Sequence, residues 1–150
     1  AGFLDDTDIK EEVLFDDPFY FYAAQDNKIL KQKEVSVIDL DVNSLLLLAD
    51  GHCLRTQILD LCHAHNPLGK NLHLEGGSLE TIIRMVDKTG GATILPKMAV
   101  DFLSAEKKEL CVREFKERGS AKRQISIATG RNFIKKAALN KLKEIILKNI

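Results

Sequence analysis

Cys53 and Cys62 are the residues of this chain whose type and spacing most invite chemistry. They stand nine positions apart in the run Asp50-Gly51-His52-Cys53-Leu54-Arg55-Thr56-Gln57-Ile58-Leu59-Asp60-Leu61-Cys62-His63. The apolar pattern of that run predicts a helix, which would set the two residues about 13 Å apart along the axis and turned roughly 180° from one another. A disulfide needs Cα atoms within about 7 Å. A bond between these residues is therefore incompatible with the helix, and an oxidation at sulfur would become a change of fold.

The two thiols are expected to differ. Cys53 begins the helix, where unpaired backbone N–H groups and the positive end of the dipole favour a thiolate. His52 and Arg55 add donors or charge beside it. In that setting peroxide converts a thiolate to sulfenic acid, which a second thiol can capture as a disulfide. Cys62 shares the stripe of Leu54, Ile58, Leu59 and Leu61 and is expected to be buried.

Other readings of the same residues stay open. Cysteines on an apolar helix stripe are commonly inert core residues. Cys53, Cys62, His63 and His65 also supply four ligands of the type zinc takes, although the adjacent pair Cys62-His63 is a poor chelating spacing. Cys111, between Leu110 and Val112 in a predicted strand, reads as core filler. Arg123 is an ordinary surface base unless the fold brings it beside Cys53.

Composition narrows the classes. With 22 basic and 22 acidic residues the chain has no global field to attract nucleic acid or anionic lipid. Its longest apolar runs, Val42 to Ala49 and Ala137 to Ile150, are too short or too interrupted by charge to span a bilayer, and the start lacks the pattern of a signal peptide. Three cysteines fit a reducing compartment, so a cytoplasmic protein is expected. Gly76-Gly77 and Gly90-Gly91 match no nucleotide-binding fingerprint and read as capping turns. No serine elbow or catalytic carboxylate pair stands out, which argues against a metabolic enzyme.

These residues need elements to position them. Ala1 to Leu4 look like the end of a strand, as in a fragment of a longer protein. Glu12 to Phe15 and Phe19 to Ala24 read as strands around the turn Asp16-Asp17-Pro18. Ser36 to Leu40 suggests a helical turn and Leu45 to Leu48 a strand buried on both faces. The cysteine helix follows and stops near Asn66-Pro67-Leu68-Gly69. Next come a strand at Asn71 to Glu75, a helix from Leu79 to Lys88 capped by Ser78, and a strand at Ala92 to Leu95. A short helix at Pro96 to Phe102 and strands at Leu110 to Phe115 and Gln124 to Thr129 precede an amphipathic helix from Phe133 to Ile150, with Ile134, Ala138, Leu142, Ile145 and Ile146 on one side. The alternation predicts an α/β fold around a largely parallel sheet, as one ordinary domain.

At Asp50-Gly51-His52-Cys53-Leu54-Arg55, with Gln57 and Cys62 at their offsets, the chain resembles the OxyR family of peroxide-sensing LysR-type transcription regulators. Ser78-Leu79-Glu80-Thr81, Met85-Val86, Gly90-Gly91 and Ile94-Leu95-Pro96 extend the likeness. The resemblance implies a periplasmic-binding-protein-like fold, the LysR effector domain. About residues 17–122 would form the whole second regulatory subdomain, and residues 1–16 and 123–150 parts of the first, with the DNA-binding winged helix-turn-helix domain absent.

The resemblance also implies roles. Cys53 matches the peroxide-reacting cysteine and Cys62 the resolving one, so a redox disulfide between them is expected. His52, Arg55 and Arg123 match residues that hold peroxide or favour the thiolate, and Thr56 stands where the family carries an aspartate. The family's pocket threonines would lie in the missing half of the first subdomain. Leu79, Ile82, Ile83 and Val86 mark a helix through which such domains form homodimers, extended to tetramers in full-length proteins. The implied partners are hydrogen peroxide, DNA through the absent domain, RNA polymerase and cytosolic dithiol reductants, with no cofactor, metal or membrane. An effector domain for a small organic ligand and a thiol peroxidase are the competing functions.

Overall fold

The computed structural model describes residues 8–41, 44–65 and 75–150. The chain divides into two compact units, one formed by Pro18–Arg123 and one by Ala1–Asp17 together with Gln124–Ile150. The bare strand expected at Ala1 to Leu4, the helix stop at Asn66 to Gly69 and most of the strand at Asn71 to Glu75 fall outside the described residues.

In the larger unit the strands are the second half of β1 (Ile9–Ala23), β2 (Glu34–Val35), β3 (Leu47–Leu48), β4 (Glu75–Gly76), β5 (Ala92–Pro96) and β6 (Val112–Phe115). The main sheet has the order β2-β6-β1-β5, and β3 and β4 form a parallel pair of their own. The expectation of a largely parallel sheet is corrected here: β1 runs antiparallel to both β5 and β6, and β2–β6 is its parallel pair. Burial of a strand on both faces comes from the layers packed on the sheet, here helices against β5 and β6, and not from the direction of its neighbours. An apolar run therefore signalled burial and said nothing of direction.

The two strands expected around Asp16-Asp17-Pro18 are one continuous strand. Proline has no N–H to give a ladder, but its fixed φ suits extended backbone. Pro18 sits just ahead of the first partners of both ladders, Phe19 with Pro96 and Tyr20 with Glu114.

Helices cover this sheet. They are α1 (Cys53–His65), α2 (Leu79–Thr89), α3 (Lys97–Val100) and α4 (Ala105–Cys111). The start of α2 follows the sequence reading, because Ser78 accepts from the Thr81 N–H at 3.2 Å. Its end requires Gly90, whose φ of 78° is left-handed and lets its N–H reach the Val86 carbonyl at 3.1 Å. The strand expected over Leu110 to Phe115 begins only at Val112, because Ser104 caps α4, a helix the apolar pattern hid. Cys111 is therefore the last residue of a helix, and it is buried. The core gathers Phe19, Phe21 and Tyr22 of β1, Ile94 and Leu95 of β5, Leu45 to Leu48, and the inner faces of α1 and α2.

In the smaller unit β7 (Lys122–Gly130) pairs with β1, and α5 (Lys136–Lys148) closes the chain. The apolar side expected for this helix is corrected. Its inward residues are Leu139, Lys143 and Ile146, whereas Ile134, Leu142 and Ile145 are exposed. Lys143 lies along this face as an apolar stem, and its ammonium ends on the Glu12 carboxylate.

Candidate functional site

Cys53 is the first residue of α1 and is exposed; Cys62, nine residues on, is fully buried in the core. Neither is in a disulfide, and neither is Cys111. Burial holds the Cys62 thiol protonated, pushing its pKa up to about 11. That shift follows from removing the thiolate from water. The helix thus presents one sulfur to solvent and hides the other in neutral form. Cys111 is also pushed up, chiefly by burial.

The entry to α1 explains how Cys53 is presented. Gly51 has a φ of 91°, a left-handed conformation that a side chain would strain, and it turns the chain from β3 into the helix. The His52 N–H reaches back to the Ala49 carbonyl at 3.4 Å, and the Arg55 N–H to the His52 carbonyl at 3.0 Å. The Arg55 side chain then fastens the turn. Its Nη1 donates to the Leu48 carbonyl at 2.9 Å, and its Nε lies 2.9 Å from the Asp50 carboxylate. His52 and Thr56 are both exposed, flanking Cys53 in the first turns. These two contacts tie Arg55 to the loop that carries the cysteine. Asp50 is a site residue that the sequence reading missed, and its spacing to Arg55 across a glycine turn is the signal that could have found it.

Arg123 is the second residue of β7, half-buried, at the end of the larger unit. The residues expected to form a partner surface divide. Ile82 and Val86 are buried in the chain's own core and are not available to a partner, a correction with a plain cause: a helix on a sheet must bury its apolar stripe against that sheet. Leu79 and Ile83 are half-buried and border an open groove with Ala99, Phe102 and Leu103; Phe102 is 91% exposed. The sequence reading runs a short helix on to Phe102 and misses its exposure, because α3 ends at Val100 and Phe102 lies in the turn after it.

The zinc alternative depends on His63 and His65, whose side chains lie outside the described residues. Among the described residues no three His, Cys, Asp or Glu side chains gather as a metal site, and no helix is long and apolar enough to cross a membrane.

A family profile described as LysR substrate binding domain matches residues 1–150. The "Hydrogen peroxide-inducible genes activator" of Dickeya chrysanthemi is 38% identical over 90 residues, covering 60% of this chain and 29% of that protein. The "DNA-binding transcriptional dual regulator OxyR" of Escherichia coli K12 is 37% identical over 90 residues, with the same shares of 60% and 29%. The chain thus spans less than a third of the length of these relatives. Among solved structures, the reduced form of the OxyR regulatory domain from Pseudomonas aeruginosa superimposes with a TM-score of 0.80 at 32% identity, covering 96% of this chain and 68% of that one. A hydrogen-peroxide-bound mutant of OxyR from Corynebacterium glutamicum gives a TM-score of 0.82 at 25% identity, over 96% of this chain and 45% of that one.

Proposed function

The chain belongs to the LysR substrate-binding domain family, and we propose that it is the redox-sensing regulatory part of a hydrogen-peroxide-responsive transcription regulator, switched by a reversible Cys53–Cys62 disulfide. The observation that carries this reading is the inequality of two cysteines on one helix: Cys53 exposed at its start, Cys62 buried toward its end.

The chemistry balances in two steps. The Cys53 thiolate attacks one peroxide oxygen; an S–O bond forms, the O–O bond breaks, and hydroxide leaves as water after taking a proton. The Cys62 thiol, once out of the core, loses its proton and attacks the Cys53 sulfenic sulfur; the S–S bond forms, the S–O bond breaks, and a second water leaves. Two electrons pass from two thiols to peroxide. A cytosolic dithiol returns them by exchange and is itself oxidised to a disulfide.

His52 and Thr56 flank the reacting sulfur, Arg55 holds its loop, and Arg123 is assigned to thiolate support on the strength of the resemblance. Thr56 offers a hydroxyl where the family carries an aspartate, so proton delivery in the second step falls to a weaker group. In this reading the unit Pro18–Arg123 is the second regulatory subdomain, and Ala1–Asp17 with Gln124–Ile150 are parts of the first. Reorganising α1 would shift a homodimer and, through it, the DNA-binding domains of the longer cytoplasmic protein and its contact with RNA polymerase.

The test is peptide mapping of the full-length protein after stoichiometric peroxide, without reductant. A Cys53–Cys62 linked peptide is expected, and its absence would refute the switch. An intact transcriptional response in Cys53→Ser would point to an effector domain for an organic ligand. Many peroxide turnovers per protein in the presence of a dithiol would point to a thiol peroxidase.

A further inference from the structure

Gln57 lies on α1 four residues after Cys53 and five before Cys62. Its Oε1 is buried and lacks a hydrogen-bond partner, and it is the one such side-chain atom among the described residues. Helical spacing sets Gln57 beside Leu54 and Leu61, three before and four after it, both in the core. The amide oxygen has therefore given up water at the edge of an apolar stripe and received no donor in return. A buried acceptor in that state weighs against the conformation that buries it.

The penalty exists only while α1 is closed. When the helix opens, the amide oxygen returns to water, and so does the Cys62 thiol, which shares the same helix and is fully buried in the closed state. We propose that Gln57 is a positioning residue of the switch: its unpaired buried amide oxygen, on a side chain that is otherwise half-buried, keeps α1 poised to open and so sets how often Cys62 reaches solvent. This rests on the reading of Cys62 as the resolving thiol. An apolar side chain of similar length would fill the same place without the orphaned oxygen and would hold the helix shut. Resolution of a sulfenic acid at Cys53 would then wait on a rarer opening, even with the reacting sulfur untouched.

The test uses full-length protein carrying Cys53→Ser, so that no disulfide with residue 53 can form. Iodoacetamide labelling of Cys62 and Cys111 is followed by peptide mass spectrometry under native conditions. When closing is fast, the labelling rate of a buried thiol follows the population of the open form. Gln57→Met is expected to slow Cys62 labelling about tenfold, the size of effect that removing an unpaired buried acceptor carries, and to leave Cys111 unchanged. Gln57→Leu is the second variant, against the chance that methionine packs badly, and it is expected to act in the same direction. Gln57→Glu, which buries a charge, is expected to speed Cys62 labelling. A Cys62 rate unchanged or raised in both apolar variants would overturn the proposal. Equal slowing at Cys111, which ends a different helix, would also overturn it by making the effect one of global stability. Peroxide is not used, so this outcome is separate from that of the peptide map.

Discussion

The guanidinium of Arg55 donates to the backbone carbonyl of Leu48 at 2.9 Å, so one side chain fastens the first turn of the cysteine helix to the strand before it. The Leu48 residue is buried, and removing the donor leaves its carbonyl without that partner. Arg55→Ala is expected to cost about 1–3 kcal/mol of stability. Asp50→Asn is expected to cost less than about 1 kcal/mol, because the Asp50 side chain of the 2.9 Å pair is 86% exposed. Urea denaturation of the reduced protein checks both, and an Asp50 effect as large as that of Arg55 would contradict the assignment of the fastening to the carbonyl.

The buried thiol makes stability depend on pH in a definite direction. In the unfolded chain Cys62 ionises near its ordinary pKa of 9.0, whereas the folded value is about 11. Below both values the thiol is protonated in both states and its contribution is whole. Between them the unfolded state releases a proton that the folded state keeps, so stability falls as pH rises, by about 2–3 kcal/mol in total. Cys111 is shifted the same way and adds to the slope. Cys62→Ala is expected to flatten most of it, measured as denaturation midpoints across the alkaline range at fixed salt.

Core and surface on α2 separate by mutation. Ile82→Ala, at a side chain 1% exposed, is expected to cost about 2–5 kcal/mol. Ile83→Glu, on the half-buried side toward Phe102, is expected to cost less stability than Ile82→Ala and to shift the full-length protein toward monomer in sedimentation velocity. A dimer untouched by Ile83→Glu would move the partner surface elsewhere.

Thr56 is exposed one turn after Cys53 and is free to carry other side chains. A carboxyl group there can act as a proton donor in the second step, when hydroxide leaves the Cys53 sulfur. Thr56→Asp is expected to speed disulfide formation about tenfold or more relative to sulfenic acid formation. Quench-flow with a sulfenic-acid trap separates the two steps, and a change confined to the first would rule out this role.

Much of the fold was legible because local chemistry dictated it. Ser78 and Gly90 bound α2 through a side-chain acceptor and a left-handed φ, both tied to residue type. Leu45 to Leu48 are buried as their apolar run suggested. What escaped notice depends on neighbours distant in sequence. Pro18 reads as a turn until the ladders to β5 and β6 are seen to begin one and two residues later. Lys143 reads as a solvent charge until Glu12, far away in the chain, receives its ammonium.

The cysteine helix divides in the same way. By itself the sequence determined that Cys53 and Cys62 lie on one helix, on opposite sides and too far apart to bond without unfolding it, because spacing and helical pitch are local properties. Only the tertiary structure decided that Cys62 is sealed and neutral in the core, that Arg55 serves the Leu48 carbonyl, and that Gln57 has a buried oxygen with no donor. Burial and hydrogen bonding are settled by what the rest of the chain brings to each atom, and no pattern within the helix contains that information.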